Sequence, residues 1–449
     1  MPVEHRHDLS CREPAPGTRP SPGTAPLPPA PSAPRAYGRF YWPLALSGFA
    51  VLLELQFQNS VLAHYPRAEI ELATFALASS SFQLVNAMLI FIPQMVAVMA
   101  RTPADRAQCA RFAIAAGAAL SLPLLLMGFT RTGAGLLIRW MNIPEALAPA
   151  VVRYLQWLAP LVCINAIRHY CTGILVLAER TRTVTLMNAA HLCVLVTVLL
   201  GGLKGGWGAL RTLALATVLA NLLHFTLGVL TVRRVTIPDH QMRRGAPTVT
   251  WKTMLAFFWP LAATSLLFAM SRPVLYASIN LTAGAAVAIA SLRVGFDFCA
   301  LFQNPINQFR HVYATYGASD PKGVTRFMVK VTTFYLALMA LTVFTPLSRL
   351  VFGRLMGLEG EVLVRSLQVI RVLLLLPLLI MIRNLYHGKM MVRRKTAGMA
   401  FAALLRVGAM ALAAHALLRL GGLNHITGAA VLLAGFVAEM LMARHATRR

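Results

Sequence analysis

Charge is scarce in this chain. Asp, Glu, Lys and Arg make up 13% of its 449 residues, against roughly 25% in a soluble domain. That excludes a solvated globular surface over most of its length. Acidic residues are scarcer still: 15 against 42 Lys and Arg, for a formal net charge of +27. No paired-carboxylate motif, metal box, Walker-type loop or nucleophile elbow is present, so neither an enzyme nor a cofactor or metal site is expected. The six cysteines form no CxxC pair, and most lie in apolar stretches; they read as small buried side chains rather than as a zinc or disulfide framework. Residues 1–38 have no apolar signal-peptide core. Their Pro, Ala and Ser content leaves too few large apolar side chains to pack, so a disordered cytoplasmic tail is expected there.

What is abundant is hydrocarbon. Hydrophobic residues make up 57% of the chain and mean hydropathy is +0.63. Apolar runs of about 20 residues, each long enough to cross a bilayer core of about 30 Å, recur near 43–63, 72–99, 110–130, 149–177, 183–203 and 209–232. A second set lies near 253–281, 284–313, 327–348, 362–391, 396–418 and 424–443. The two sets echo one another at nearly constant offset. FYWPLA at 40–45 returns as FFWPLA at 257–262, IRHYCTG at 167–173 as IRNLYHG at 382–388, and GGLKGGWGA at 201–209 as GGLNHITGA at 421–429. A membrane pattern repeated in tandem suggests an alternating-access transporter built from two halves.

The expected fold is therefore an all-α polytopic membrane protein of about twelve transmembrane helices in two parallel six-helix repeats. Its divisions are the tail 1–38, an N-terminal bundle 39–232, a basic linker 233–252 and a C-terminal bundle 253–449. An even number of spans puts both termini on one side. The linker carries Arg233, Arg234, Arg243, Arg244 and Lys252, and the loops on its side hold the larger share of Lys and Arg, which points to the cytoplasm. A multi-pass protein of the plasma or inner membrane follows, with the lipid bilayer as its first partner. The positive charge is explained by anionic headgroups, no nucleic-acid module is visible, and a monomer is the simplest assembly.

Ionisable side chains within the spans carry the functional information, because each costs roughly 2.5–3.5 kcal/mol at the bilayer centre unless it faces a cavity or a partner. Arg168 and His169 lie in the fourth span and Arg383 and His387 in the matching tenth. Arg272, Arg293, Arg371 and Arg406 are also intramembrane. On the eighth span Arg293, Asp297, Asn304, Asn307, Gln308 and His311 fall within about a 100° arc. Arg293 and Asp297, at i,i+4, can pair. The stripe either lines a cavity or bonds helix to helix. The second span carries a neutral counterpart in Ser79, Gln83, Asn86 and Gln94, with Pro93 matching the kinking Pro305. Glu54, with Ser47 and Gln58 on the first span, either takes a coupling proton or pairs with an arginine; Asp297 is the other coupling candidate. His191, His224 and His415 are individually weak signals, and Glu439 reads as close to the membrane interface.

These motifs resemble a known family. FFWPLAATSLLFAMSRPVLYASINL at 257–281, FRHVYATY at 309–316, RVLLLLPLLIMIRNLYHG at 371–388 and GAAVLLAGFVAE at 428–439 resemble segments of the progressive ankylosis protein family. That family sits within the multidrug/oligosaccharidyl-lipid/polysaccharide exporter superfamily. The resemblance implies a MATE-like V of two six-helix bundles around a cavity, and export of a polyanion such as pyrophosphate, a nucleotide or a polycarboxylate. Arg272, Arg310, Arg371 and Arg383 match family arginines; the Pro-rich tail, the short C-terminus and Arg168 depart from the pattern.

The expected substrate set is Arg272, Arg293, Arg371, Arg383, Arg168, His169, Asn304, Asn307 and Arg310, with a proton or sodium ion as coupling partner. A lipid-linked oligosaccharide flippase would want the same arginines. A cation-coupled multidrug exporter would instead rely on Glu54 or Asp297.

Overall fold

In a bilayer every backbone N–H and C=O must find a partner within the chain, which leaves the helix as the default for these apolar runs. The computed structural model describes residues 34–47, 49–178, 180–237, 249–317, 319–392 and 397–448. Most of the expected tail and, in the linker, Arg243 and Arg244 lie outside the described residues.

The N-terminal half comprises α1 (Pro34–Ser47), α2 (Phe49–Ala63), α3 (Ala68–Asn86), α4 (Ile92–Met99), α5 (Pro103–Phe129), α6 (Arg131–Met141), α7 (Ala148–Leu158), α8 (Leu161–Leu177), α9 (Thr181–Lys204) and α10 (Ala209–Arg234). The C-terminal half comprises α11 (Trp251–Ala269), α12 (Ser271–Ile279), α13 (Ala285–Asn307), α14 (Phe309–Tyr316), α15 (Pro321–Phe344), α16 (Gly360–Val372), α17 (Leu376–Val392), α18 (Ala397–Arg419) and α19 (His425–Arg448). Among the described residues, 11 helical stretches are long and apolar enough to cross a membrane. The expected span 43–63 is divided between α1 and α2 and is not one of them. The fold is the all-α polytopic one, with large apolar side chains such as Leu412, Phe129 and Leu420 turned outward, where lipid covers them.

The two halves break their helices at matching places. α3 gives way to a 3-10 turn at Ala87–Phe91 before Pro93. Its counterpart α13 ends at Asn307, just after Pro305, before α14. α7 and α8 meet at Pro160, and α16 and α17 meet at the 3-10 turn Leu373–Leu375 before Pro377. α11 and α12 meet at Met270, ahead of Pro273. Proline lacks an N–H and collides with the carbonyl four residues back, which explains the breaks. α5 and α15, by contrast, each open on a capping side chain followed by proline. Thr102 accepts from the Asp105 N–H and Asp320 from the Gly323 N–H, satisfying donors the helix leaves orphaned.

Two matched glycines bring the broken helices together. A Cβ on Gly173 would lie 2.7 Å from Val96 Cβ, and one on Gly388 would lie 2.6 Å from Tyr313 Cβ. Only glycine allows α8 so close to α4, and α17 so close to α14.

The halves meet along α2 and α3 against α13, with α6 against α12. At the end of the bundle away from the start of α1, Asn142 Nδ2 donates to the Ala277 carbonyl (3.1 Å), Asn280 Nδ2 to the Met141 carbonyl (2.7 Å) and Ser60 Oγ to the Leu355 carbonyl (3.1 Å). At the other end α1 crosses to the C-terminal half. Tyr37 Oη donates to Asp320 Oδ2 at 2.7 Å, and its ring meets Tyr316 edge-on at 5.2 Å. Tyr41 stacks on Phe309 at 5.2 Å. The Tyr37 bond, followed by the Gly323 N–H, holds the Asp320 carboxyl below its ordinary range. Burial, followed by the same bond to Asp320, pushes the Tyr37 hydroxyl up to about 12.

Candidate functional site

The intramembrane ionisable groups fall into three clusters. The first lies between the halves. Arg293 on α13 donates from Nε to Asn59 Oδ1 on α2 (2.8 Å) and from Nη1 to Ser79 Oγ on α3 (2.8 Å). Asn59 Nδ2 in turn donates to Asp297 Oδ2 at 3.0 Å, and Gln56 Nε2 donates to the Asp297 backbone carbonyl at 2.7 Å. The i,i+4 pair expected between Arg293 and Asp297 is present at 3.8 Å, but the closer cation is Arg272 on α12, whose Nη1 is 2.8 Å from Asp297 Oδ1. Arg293 also lies over the Phe75 ring at 4.5 Å. Arg293 and Asp297 are therefore sealed into a clasp and do not face an open cavity; the Arg272 side chain is 35% exposed.

The second cluster belongs to the N-terminal half. Arg168 on α8 donates to Asn165 Oδ1 (3.0 Å) and to Asn221, and its Nη2 is 2.9 Å from His224 Nδ1 on α10. Asn165 passes the chain of bonds to Asn86, and Asn86 to Gln83. The carboxylate of Glu54 does not pair with an arginine. Its Oε2 is 3.2 Å from His191 Nε2 on α9, and Gln58 Nε2 donates to Oε1 at 3.2 Å. The rings of His191 and His224 meet edge-on at 5.9 Å. His169 shows no hydrogen bond in this network among the described residues, but it is within electrostatic reach of Arg168 and His224.

The third cluster lies within the C-terminal half. Arg406 on α18 and Arg383 on α17 converge on one oxygen of Glu439, Oε2, at 3.0 and 3.5 Å. Arg383 Nη2 donates to Asn307 Oδ1 at 2.6 Å and to Asn384 Oδ1 at 3.2 Å. Asn384 Nδ2 donates to the Ile306 carbonyl. Phe436 underlies both guanidinium groups, at 5.5 and 5.2 Å. Arg310, on the adjacent α14, is within electrostatic reach of Arg383, and His387 is within reach of all three arginines. Glu439 is only 2% exposed. Glu439 is thus enclosed by neighbouring helices, on a helix that continues to Arg448.

The second and third clusters are the same construction twice. Arg168, His191 and His224 lie 215 residues before Arg383, Arg406 and Glu439, respectively. Where the first half sets arginine against one histidine and glutamate against another, the second half sets two arginines against a glutamate. Three arginines (Arg310, Arg383, Arg406) against Glu439 leave two positive charges uncompensated among the described residues. The N-terminal cluster holds Arg168 and Glu54 in balance, with two imidazoles between them.

The substrate set expected from sequence is therefore not brought to one place. Arg383, Arg310 and Asn307 lie together. Asn304 is exposed on α13, one turn before Asn307. Arg272 and Arg293 belong to the clasp, and Arg168 to the other half. Arg371 stands apart, over the Phe344 ring at 5.8 Å. Asn59, Asn165, Asn221 and Asn384 escaped sequence reasoning because neutral amides in a span resemble packing. The repeat was the signal for His191, His224 and Glu439: carried across the 215-residue offset, each falls on an ionisable partner.

With this geometry in place, comparison with known proteins is informative. A family model described as Progressive ankylosis protein (ANKH) matches residues 29–353. Among solved structures, an inward-facing multidrug resistance MATE family transporter of the MOP superfamily is 13% identical, with a TM-score of 0.69 over 89% of this chain and 93% of that one. The lipid II flippase MurJ, in an inward closed conformation, is 12% identical, with a TM-score of 0.67 over 90% and 87%. A MOP superfamily transporter from Pyrococcus furiosus Vc1, reported for the reverse polarity of its binding pocket, is 14% identical, with a TM-score of 0.61 over 92% and 94%. At such identities the likeness is one of fold.

Proposed function

Because the chain belongs to the progressive ankylosis protein family, we propose that it exports a small polyanion (pyrophosphate, a nucleotide or a polycarboxylate) by alternating access between its two halves. The observation that carries this reading is the buried excess of guanidinium in the C-terminal cluster. Unpaired arginines inside a bundle are costly without an anion. A guanidinium fork binds phosphate or carboxylate oxygens bidentately. The anion engages Arg383 and Arg310, with Asn307 and Asn304 at the mouth of the site on α13. Arg406 stays on Glu439, which acts as the resident counter-ion until substrate takes its place on Arg383.

The N-terminal cluster serves coupling. Glu54 and His191 form a pair that can hold or release a proton, and Arg168 and His224 set the field around it. The clasp of Arg293, Asp297 and Asn59, with Arg272 at its edge, closes the far end of the path. With both termini in the cytoplasm, the anion enters from the α1 end and leaves when the clasp opens. A cation-exporting drug pump is disfavoured, because Glu54, Asp297 and Glu439 already have basic partners.

The test is efflux from proteoliposomes loaded in turn with pyrophosphate, ATP and citrate. Wild type should release at least one of them, and Arg383→Ala should release it at least about tenfold more slowly, as expected for loss of a charge-assisted contact. Equal rates in wild type and variant, or no release of any anion, would sink the reading.

A further inference from the structure

Arg371 and Arg349 share a crevice of about 670 Å³ between the end of α15, the turn that follows it and the outer side of α16. Its walls are Val343, Phe344, Leu363, Val364 and Leu367, and its polar atoms come from Thr345, Ser348, Gln368 and the two arginines. Neither arginine has a carboxylate partner among the described residues; the nearby Glu361 is taken by Arg365.

Depth identifies the occupant. α15 carries Lys322, Arg326 and Lys330 near its start and no charged residue from Val331 to Phe344, so it starts at one membrane face and ends toward the other. Phe344 is its last residue, and Arg371 lies over that ring. Arg349, in the turn beyond the end of α15, lies toward the headgroups of that face, and Arg371, eleven residues into α16, can snorkel toward it. Phe344 and Val364 are 60% and 55% exposed, and Leu347 and Leu350 beside them are exposed as well. A wall that apolar at this depth faces acyl chains, not a water-filled path.

We propose that this crevice is a binding site for an anionic phospholipid of the leaflet opposite the start of α1, with the phosphate between Arg349 and Arg371 and the acyl chains along Phe344 and Val364. Basic pockets between transmembrane helices hold acidic headgroups by the same attraction. The site is separate from the C-terminal arginine cluster and does not depend on the transported anion.

The test is native mass spectrometry of the full chain in neutral detergent, titrated with phosphatidylglycerol or phosphatidylcholine and, separately, with inorganic pyrophosphate. Wild type should retain phosphatidylglycerol in preference to phosphatidylcholine. Arg349→Gln with Arg371→Gln should weaken phosphatidylglycerol retention by about tenfold or more, given the attraction of two basic residues, and leave phosphatidylcholine unchanged. Arg349→Gln alone, on an exposed turn, should give an intermediate loss and guards against misfolding of the double variant. Unchanged phosphatidylglycerol retention overturns the proposal. So does loss of pyrophosphate binding in the variant while lipid retention persists, which would assign the crevice to a soluble anion.

Discussion

Arg383 and Arg168 occupy equivalent places in the two halves, yet the first meets the carboxylate of Glu439 and the second the imidazole of His224. One duplicated framework thus holds a fixed excess of charge on one side, and on the other an arginine and a glutamate that each meet an imidazole. That division of labour leads to measurable consequences.

Glu439 is the only carboxylate paired with Arg383 and Arg406 among the described residues. Glu439→Gln should destabilise the protein by about 3 kcal/mol or more, since breaking a buried pair leaves charge uncompensated. Thermal unfolding followed by size-exclusion fluorescence reads this directly. A melting temperature equal to wild type would mean that water or lipid already solvates these arginines.

Glu54→Gln leaves His191 without its carboxylate. If this pair moves the coupling proton, wild-type efflux follows an imposed pH gradient and the variant does not. Identical gradient dependence in both proteins would remove Glu54 from coupling.

Asn59 bridges Arg293 and Asp297 by accepting from one and donating to the other. Asn59→Ala removes two hydrogen bonds to charged groups, each worth about 1.5–3 kcal/mol, and should shift the population toward opening at the Ala277 end. A cysteine introduced as Ala277→Cys, with the exposed Cys193 replaced, should then react faster with an impermeant maleimide. An unchanged labelling rate would mean that other contacts hold this end shut.

The bond between Tyr37 and Asp320 gives a pH signature. The Asp320 carboxyl titrates below its ordinary value in the folded protein, so its contribution is present above about pH 4 and is lost as pH falls through the lowered value. The Tyr37 hydroxyl titrates higher than usual, at about 12, so its contribution is complete below about pH 10 and fades as pH approaches 12. Tyr37→Phe should reduce the acid-side loss in a pH series of melting temperatures, leaving the part due to the Gly323 N–H; the same acid limb in both proteins would place its origin elsewhere.

Much of the fold was legible in the sequence, because apolar run length and the repeated WPLA and IR…G segments each have one physical reading in a bilayer. Pro93 and Pro305 announced the breaks at which α4 and α14 begin. The site was legible only in part. The helical arc of α13 correctly grouped Arg293 with Asp297, but could not reveal that Asn59 and Ser79 reach across from the other half and close over them. Helix periodicity places a residue on a face and is silent on what that face meets. Glu439 was discounted because its place near the end of the apolar run gave no sign of the two arginines that meet it. Arg371 was grouped with Arg383 as an arginine of the same span that matches the family pattern, although the break at Leu373–Leu375 and more than two helical turns separate them.

The matched breaks have a mechanical meaning. The interrupted helices are the ones that carry the clasp and two of its neighbours, whereas α5, α9, α10, α15, α18 and α19 run without interruption. Bending concentrated at the prolines lets these helices tilt about fixed points, while the unbroken ones need not bend. One end can then close as the other opens without any helix having to unwind, because the bends are already built into the chain.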